Sequence, residues 1–162
     1  MTLKNLDNNL KNLLTYYLIT LAIGFSLGVF YVYLNSEFSN TGMIEQYLGN
    51  DDDWNPKLPK TLLDLVSHTH EHITMFSIIF VSMGIIFSFN TIINGFWKKV
   101  LMLEPFVSII LTFGGFFVMR FLTPNFSYII MISSILMYLC FYIMFLVCIY
   151  ELIYLKKINQ EN

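Results

Sequence analysis

His68, His70 and His72 are the three histidines of the chain, and Asp64 and Glu71 stand beside them. Imidazole and carboxylate are the side chains that ligate transition metals and pass protons near neutral pH. The stretch Lys60–Asn90, KTLLDLVSHTHEHITMFSIIFVSMGIIFSFN, is therefore where chemistry would be done. On a helix turning 100° per residue, Asp64, His68, Glu71 and His72 fall on one face, related by steps of three and four. His70 points the other way, beside Ser67 and Thr74. His68 and His72 have the i, i+4 spacing with which a helix chelates a divalent transition metal such as copper, zinc or iron. The candidate metal set is His68, His70, His72, Asp64 and Glu71, with the run Asp51–Asp53 as a source of further oxygen ligands.

A second reading is haem b. An H-x-H pair such as His70 and His72 sends its rings to opposite faces of a helix. Haem–copper oxidases use an H-x-H in that way, and the likeness here is to the spacing alone. A bis-histidine haem needs a histidine on a facing helix, and no other segment supplies one. Met119 or Met131 would serve as the opposite axial ligand, or a second copy or another membrane subunit would provide it. Arg120 would hold a propionate, or an anionic quinone or lipid group. Two further readings use no cofactor: interfacial polar residues hydrogen-bonded to Arg120, Glu71 or headgroups, and proton handling by the same groups. The sequence leaves these open.

The elements that must position these residues are membrane helices. The chain of 162 residues is 56% hydrophobic and 12% charged, with a mean hydropathy of +0.64. Soluble domains carry about 25% charged residues. A net charge of −2 gives no basic surface for nucleic acid. Uncharged or nearly uncharged runs predict spans at about 13–34, 68–90, 100–121 and 128–154, each able to cross a hydrocarbon core of about 30 Å. The first run is too long for a signal-peptide core, and NSEFS after it is no cleavage site, so it reads as a retained span. Its Gly24 and Gly28 form a G-x-x-x-G that lets another helix approach.

Residues 35–60 form an acidic loop in which Thr41–Leu48, ended by Gly49, predicts a short amphipathic helix lying on the membrane. Lys4, Lys11, Lys98, Lys99, Lys156 and Lys157 fall at the ends shared by the termini; Lys57, Lys60 and Arg120 fall at the other. The positive-inside rule then puts both termini in the cytoplasm and the histidines outside. An arginine at the end of an apolar helix is expected to find a partner, Glu71 or Asp64 by position. Glu104 is expected to pair with Lys98 or Lys99, and Glu151 with nearby lysines. Cys140 and Cys148, about 12 Å apart along one helix, read as packing residues and not as a disulfide.

The order TGMIEQYLGNDD, PKTLLDLVSHTHEH, MRFLTPNFSY resembles a family of small four-span bacterial inner-membrane proteins. Their second helix opens on T-H-x-H and runs to a Gly, and their third ends in an Arg-aromatic-x-Ser/Thr-Pro turn. The matching residues are Thr69, His70, His72 and Gly84, then Arg120, Phe121, Thr123 and Pro124, within roughly Thr41 to Glu151. The resemblance implies that His70 and His72, more than His68, are the working pair. It implies no reaction, and the chain has no P-loop, G-x-S-x-G, H-E-x-x-H or C-x-x-C.

The expected architecture is an all-α antiparallel four-helix membrane bundle, a single domain over 1–162 with both termini inside. The expected function is binding of haem or a transition metal at the outer face, in a respiratory or electron-transfer assembly of a bacterial cytoplasmic membrane. Its partners would be the bilayer, a second copy or other redox subunits. The alternative is a cofactor-free structural or assembly subunit.

Overall fold

The computed structural model describes residues 2–52 and 54–158, and among them all regular structure is helical. The helices are α1 (Asn8–Ser36), α2 (Asn40–Leu48), α3 (Leu62–Ser88), α4 (Gly95–Ile109), α5 (Gly115–Phe121) and α6 (Ser127–Ile158). A π-helical turn, Ile110–Gly114, joins α4 to α5, so the two form one rod. α1, α3, the α4–α5 rod and the α6 region are each long and apolar enough to cross a membrane. This is a multi-pass membrane protein.

Local chemistry sets the helix starts. The Asp7 carboxylate caps α1 by accepting from Leu10 N at 3.2 Å. α3 begins six residues before the hydropathy boundary at 68 because Thr61 and Asp64 close a reciprocal capping box. Asp64 N donates to Thr61 Oγ1 at 3.2 Å, and Thr61 N to Asp64 Oδ2 at 3.1 Å. The histidines consequently lie in the second and third turns of α3 rather than at its mouth. α1 likewise extends past 34, to Ser36, where Glu37 and Phe38 adopt left-handed φ of 51° and 54°. That reversal folds α2 back over one end of the bundle.

α6 is the packing axis. Ile130, Ser133, Met137, Cys140, Met144, Cys148 and Glu151 recur at intervals of three and four and are all buried, which is the seam of a helix packed on several neighbours. Both cysteines are free, as packing residues. Gly115 allows α5 to lie against α6: a Cβ there would stand 2.8 Å from Ile130 and 2.9 Å from Phe126. Phe141 holds α1 by stacking on Phe25 at 3.9 Å between ring centroids.

At the end of the bundle shared by the start of α1 and the last turns of α6, Glu104 and Glu151 form no ion pair among the described residues; the side chains of Lys156 and Lys157 lie outside them. Glu151 is fully buried and accepts from Thr91 N at 2.7 Å and Thr91 Oγ1 at 3.1 Å, clamping the α3–α4 turn to α6. Lys98 Nζ donates instead to Asn90 O at 3.0 Å. Glu104 accepts from Ser108 Oγ within its own helix, and its Oε2 is buried with no hydrogen-bond partner among the described residues. A backbone amide and a hydroxyl satisfy a buried carboxylate without a second desolvated charge, which is why they win over lysine. Glu151→Ala should lower unfolding stability by about 1–3 kcal/mol, because it strands the Thr91 donors. Glu151→Gln keeps an acceptor and should lose less. Thermal unfolding in mild detergent measures both, and equal losses would argue against the clamp.

Candidate functional site

A cavity of about 520 Å³ lies between α1 and α3, closed behind by the π turn and α6 and over one end by α2. Its walls are two helical stripes. Tyr17, Thr20, Leu21, Gly24, Gly28 and Tyr31 come from α1, and Asp64, Leu65, His68, His72, Phe76 and Ile79 from α3. The α1 stripe continues to Ser36, so the slot is about 28 Å long at 1.5 Å per residue. Polar groups gather at the α2 end, and the deeper walls are mainly apolar.

The structure divides the histidines. His68 and His72 line the slot, their rings stacked at 4.0 Å, with Phe113 5.0 Å from His72 and Phe116 5.6 Å from His68. His70 is exposed on the opposite side of α3 and is no part of the slot lining. His72 Nδ1 lies 2.8 Å from His68 O. A carbonyl only accepts, so Nδ1 carries a proton, and in the neutral ring Nε2 is the nitrogen with the free lone pair. His68 Nδ1 is buried with no hydrogen-bond partner among the described residues.

The carboxylates are committed elsewhere. Asp64 lines the slot mouth but is held by the capping box and by Thr61 Oγ1 at 2.8 Å. Glu71 is exposed and accepts from Ser67 Oγ at 2.8 Å. Asp52 accepts from Trp54 N at 2.9 Å in a surface turn, and Asp53 lies outside the described residues. Among the described residues no group of three or more His, Cys, Asp or Glu is placed to hold a metal ion. The face of Asp64, His68, Glu71 and His72 expected from the helical wheel is thus not drawn together as a chelate among the described residues, since its oxygen donors are used in local hydrogen bonds.

Arg120 also departs from expectation. Its Nε donates to Lys60 O at 3.4 Å and its guanidinium lies 5.7 Å from the Phe121 ring; it forms no pair with Glu71 or Asp64. Among the described residues the one ion pair is Lys57–Glu45 at 3.4 Å, outside the spans. Met119 is buried in the core and Met131 half-buried, and neither lines the slot.

Hydropathy could not show what α2 contributes. α2 packs across the end of the bundle. Tyr47 stacks on Phe116 at 4.1 Å and meets His68 edge-on at 6.1 Å. Lys60 N donates to Tyr47 O at 3.0 Å, tying the lid to the start of α3. Burial, reinforced by nearby Tyr31, pushes the Tyr47 phenol well above its ordinary range, so it stays a neutral hydroxyl. Met43, also on α2, lines the slot and is the thioether on that side. The signal for both residues was the short helix motif itself, but nothing in it gave the direction in which the helix packs.

The π turn supplies the remaining wall. It leaves the Phe113 carbonyl free to accept from Thr69 Oγ1 at 3.3 Å, and Thr112 Oγ1 is 2.8 Å from Ser133 Oγ. Such turns recur at functional sites because they re-aim a few side chains within a helix. Here they present Thr112, Phe113 and Phe116 to the slot.

The chain belongs to a family described as a transmembrane helical domain, whose model matches residues 37–159. None of the curated proteins and none of the solved structures compared matches it.

Proposed function

We propose that this member of a transmembrane helical family is a binding protein for a planar redox cofactor, haem in the first instance. His72 would hold its metal through Nε2. The observation that carries the reading is the pair of slot-lining imidazoles, one with its tautomer set by a carbonyl and one with a buried, unpartnered nitrogen. A metal-ligating histidine commonly donates its other N–H to a backbone carbonyl, which fixes ring and tautomer, and His72 is held in that way. Stacked aromatic rings form the walls on which a planar group would lie. Met43 and Met137 are the thioethers that line the slot, where Met119 and Met131 do not. The resemblance pointed to His70 and His72; the reading keeps His72 and pairs it with His68. Among the described residues a metal ion held by side chains alone lacks its donor set.

The bundle lies in the cytoplasmic membrane of a bacterium with the slot mouth toward the periplasm, as the lysine and arginine distribution supports. It acts as a subunit of an electron-transfer assembly. The test is a dithionite-reduced minus air-oxidised spectrum of the protein purified from its own membranes in mild detergent. A stoichiometric b-type α-band is expected. A flat spectrum, with no ring compound in a solvent extract, overturns the proposal and leaves a structural subunit.

A further inference from the structure

The slot is longer than a ring needs. Below the aromatic box around His68 and His72 it continues along α1 from Gly28 to Tyr17, about 16 Å of helix. The two glycines of the G-x-x-x-G motif serve different ends. A Cβ on Gly28 would stand 3.3 Å from Tyr138 Oη, so Gly28 permits the close approach of α6. A Cβ on Gly24 would meet nothing within 4 Å, so Gly24 is a missing side chain in the slot wall. The deep segment is otherwise bounded by Leu21, Phe25, Phe76 and Ile79, with Tyr17, Thr20 and Tyr138 as its polar members. At the mouth Lys60 is matched by Asp64, which gives no net charge to favour a phosphate headgroup.

We infer that the occupant is a planar ring carrying one long isoprenoid tail, with the ring at the histidines and the tail along Gly24. The inference rests on the ring-binding reading above and extends it to the tail. A prenylated haem and a prenylated quinone share this chemistry. The aromatic ring site and the apolar depth beneath it each match one part of such a molecule.

The test is solvent extraction and mass spectrometry of the full chain purified from its own membranes, with Gly24→Ala and Gly24→Leu beside it. A stoichiometric prenylated ring is expected in the wild type and in Gly24→Ala, whose methyl has space. Gly24→Leu fills the channel and should retain about tenfold less or lower, while eluting as the same species in detergent and unfolding at a similar temperature. The mass and spectrum of the extract distinguish the prenylated haem from the quinone. A stoichiometric ring without a long chain overturns the tail and leaves the binding reading standing. A diacyl phospholipid with no ring overturns both. Undiminished retention by a folded Gly24→Leu places the tail elsewhere and overturns the inference.

Discussion

His72→Ala should leave the purified protein with about a tenth or less of its wild-type ring cofactor, whereas His70→Ala should keep nearly all of it. The loss of a group that merely orients a metal ligand costs about 10–100-fold in affinity, so loss of the ligand itself should cost no less. His70 is exposed on the far side of α3 and does not line the slot. The H-x-H spacing predicts equal effects of the two substitutions; the folded arrangement predicts a marked asymmetry. His68→Ala should fall between them, since His68 supplies the carbonyl that holds His72 through its backbone, which survives truncation. Cofactor-to-protein ratios for the three variants measure this directly. Equal loss from His70→Ala and His72→Ala would count against the slot as the binding site.

Phe141→Ala should be the most damaging of the core truncations, at about 3–5 kcal/mol. Phe141 is fully buried, stacks on Phe25, and meets Phe80 edge-on at 6.2 Å. Lipid tails are as apolar as the core, so its contribution comes from close packing rather than from transfer out of water. Truncation removes those contacts and leaves a void beneath α1. The only other side-chain ties of α1 to the bundle that involve polar groups are Tyr17–Ser82 at 2.7 Å and Ser26–Tyr142 at 2.8 Å among the described residues. The slot wall should loosen together with global stability. Phe141→Leu, which keeps most of the volume, should cost less. Detergent-phase unfolding curves for the two variants report the difference, and indistinguishable midpoints would contradict the role of Phe141 as the anchor of α1.

Hydrophobic run length and charge placement determined the class: four spans, all helical, with both ends of the chain at one end of the bundle. That much is local, because a bilayer demands a run of apolar residues and an internally hydrogen-bonded backbone. The helical wheel likewise placed His68 and His72 on one face and His70 on the other, since 100° per residue is a property of the helix alone. Three things were decided by neither the wheel nor the charge count. Asp64 and Glu71 share that face but are engaged by Thr61 and Ser67, so proximity on a wheel did not become coordination. Arg120 and Glu151 found backbone and hydroxyl partners where charge-matching suggested ions, because a buried ion pair must offset the desolvation of two charges. The slot itself exists because α2 folds over the bundle end, the π turn re-aims Phe113 and Phe116, and Gly24 leaves its wall open. Each of those is a relation between segments distant in sequence, set by how whole helices pack, and only the tertiary structure decides it.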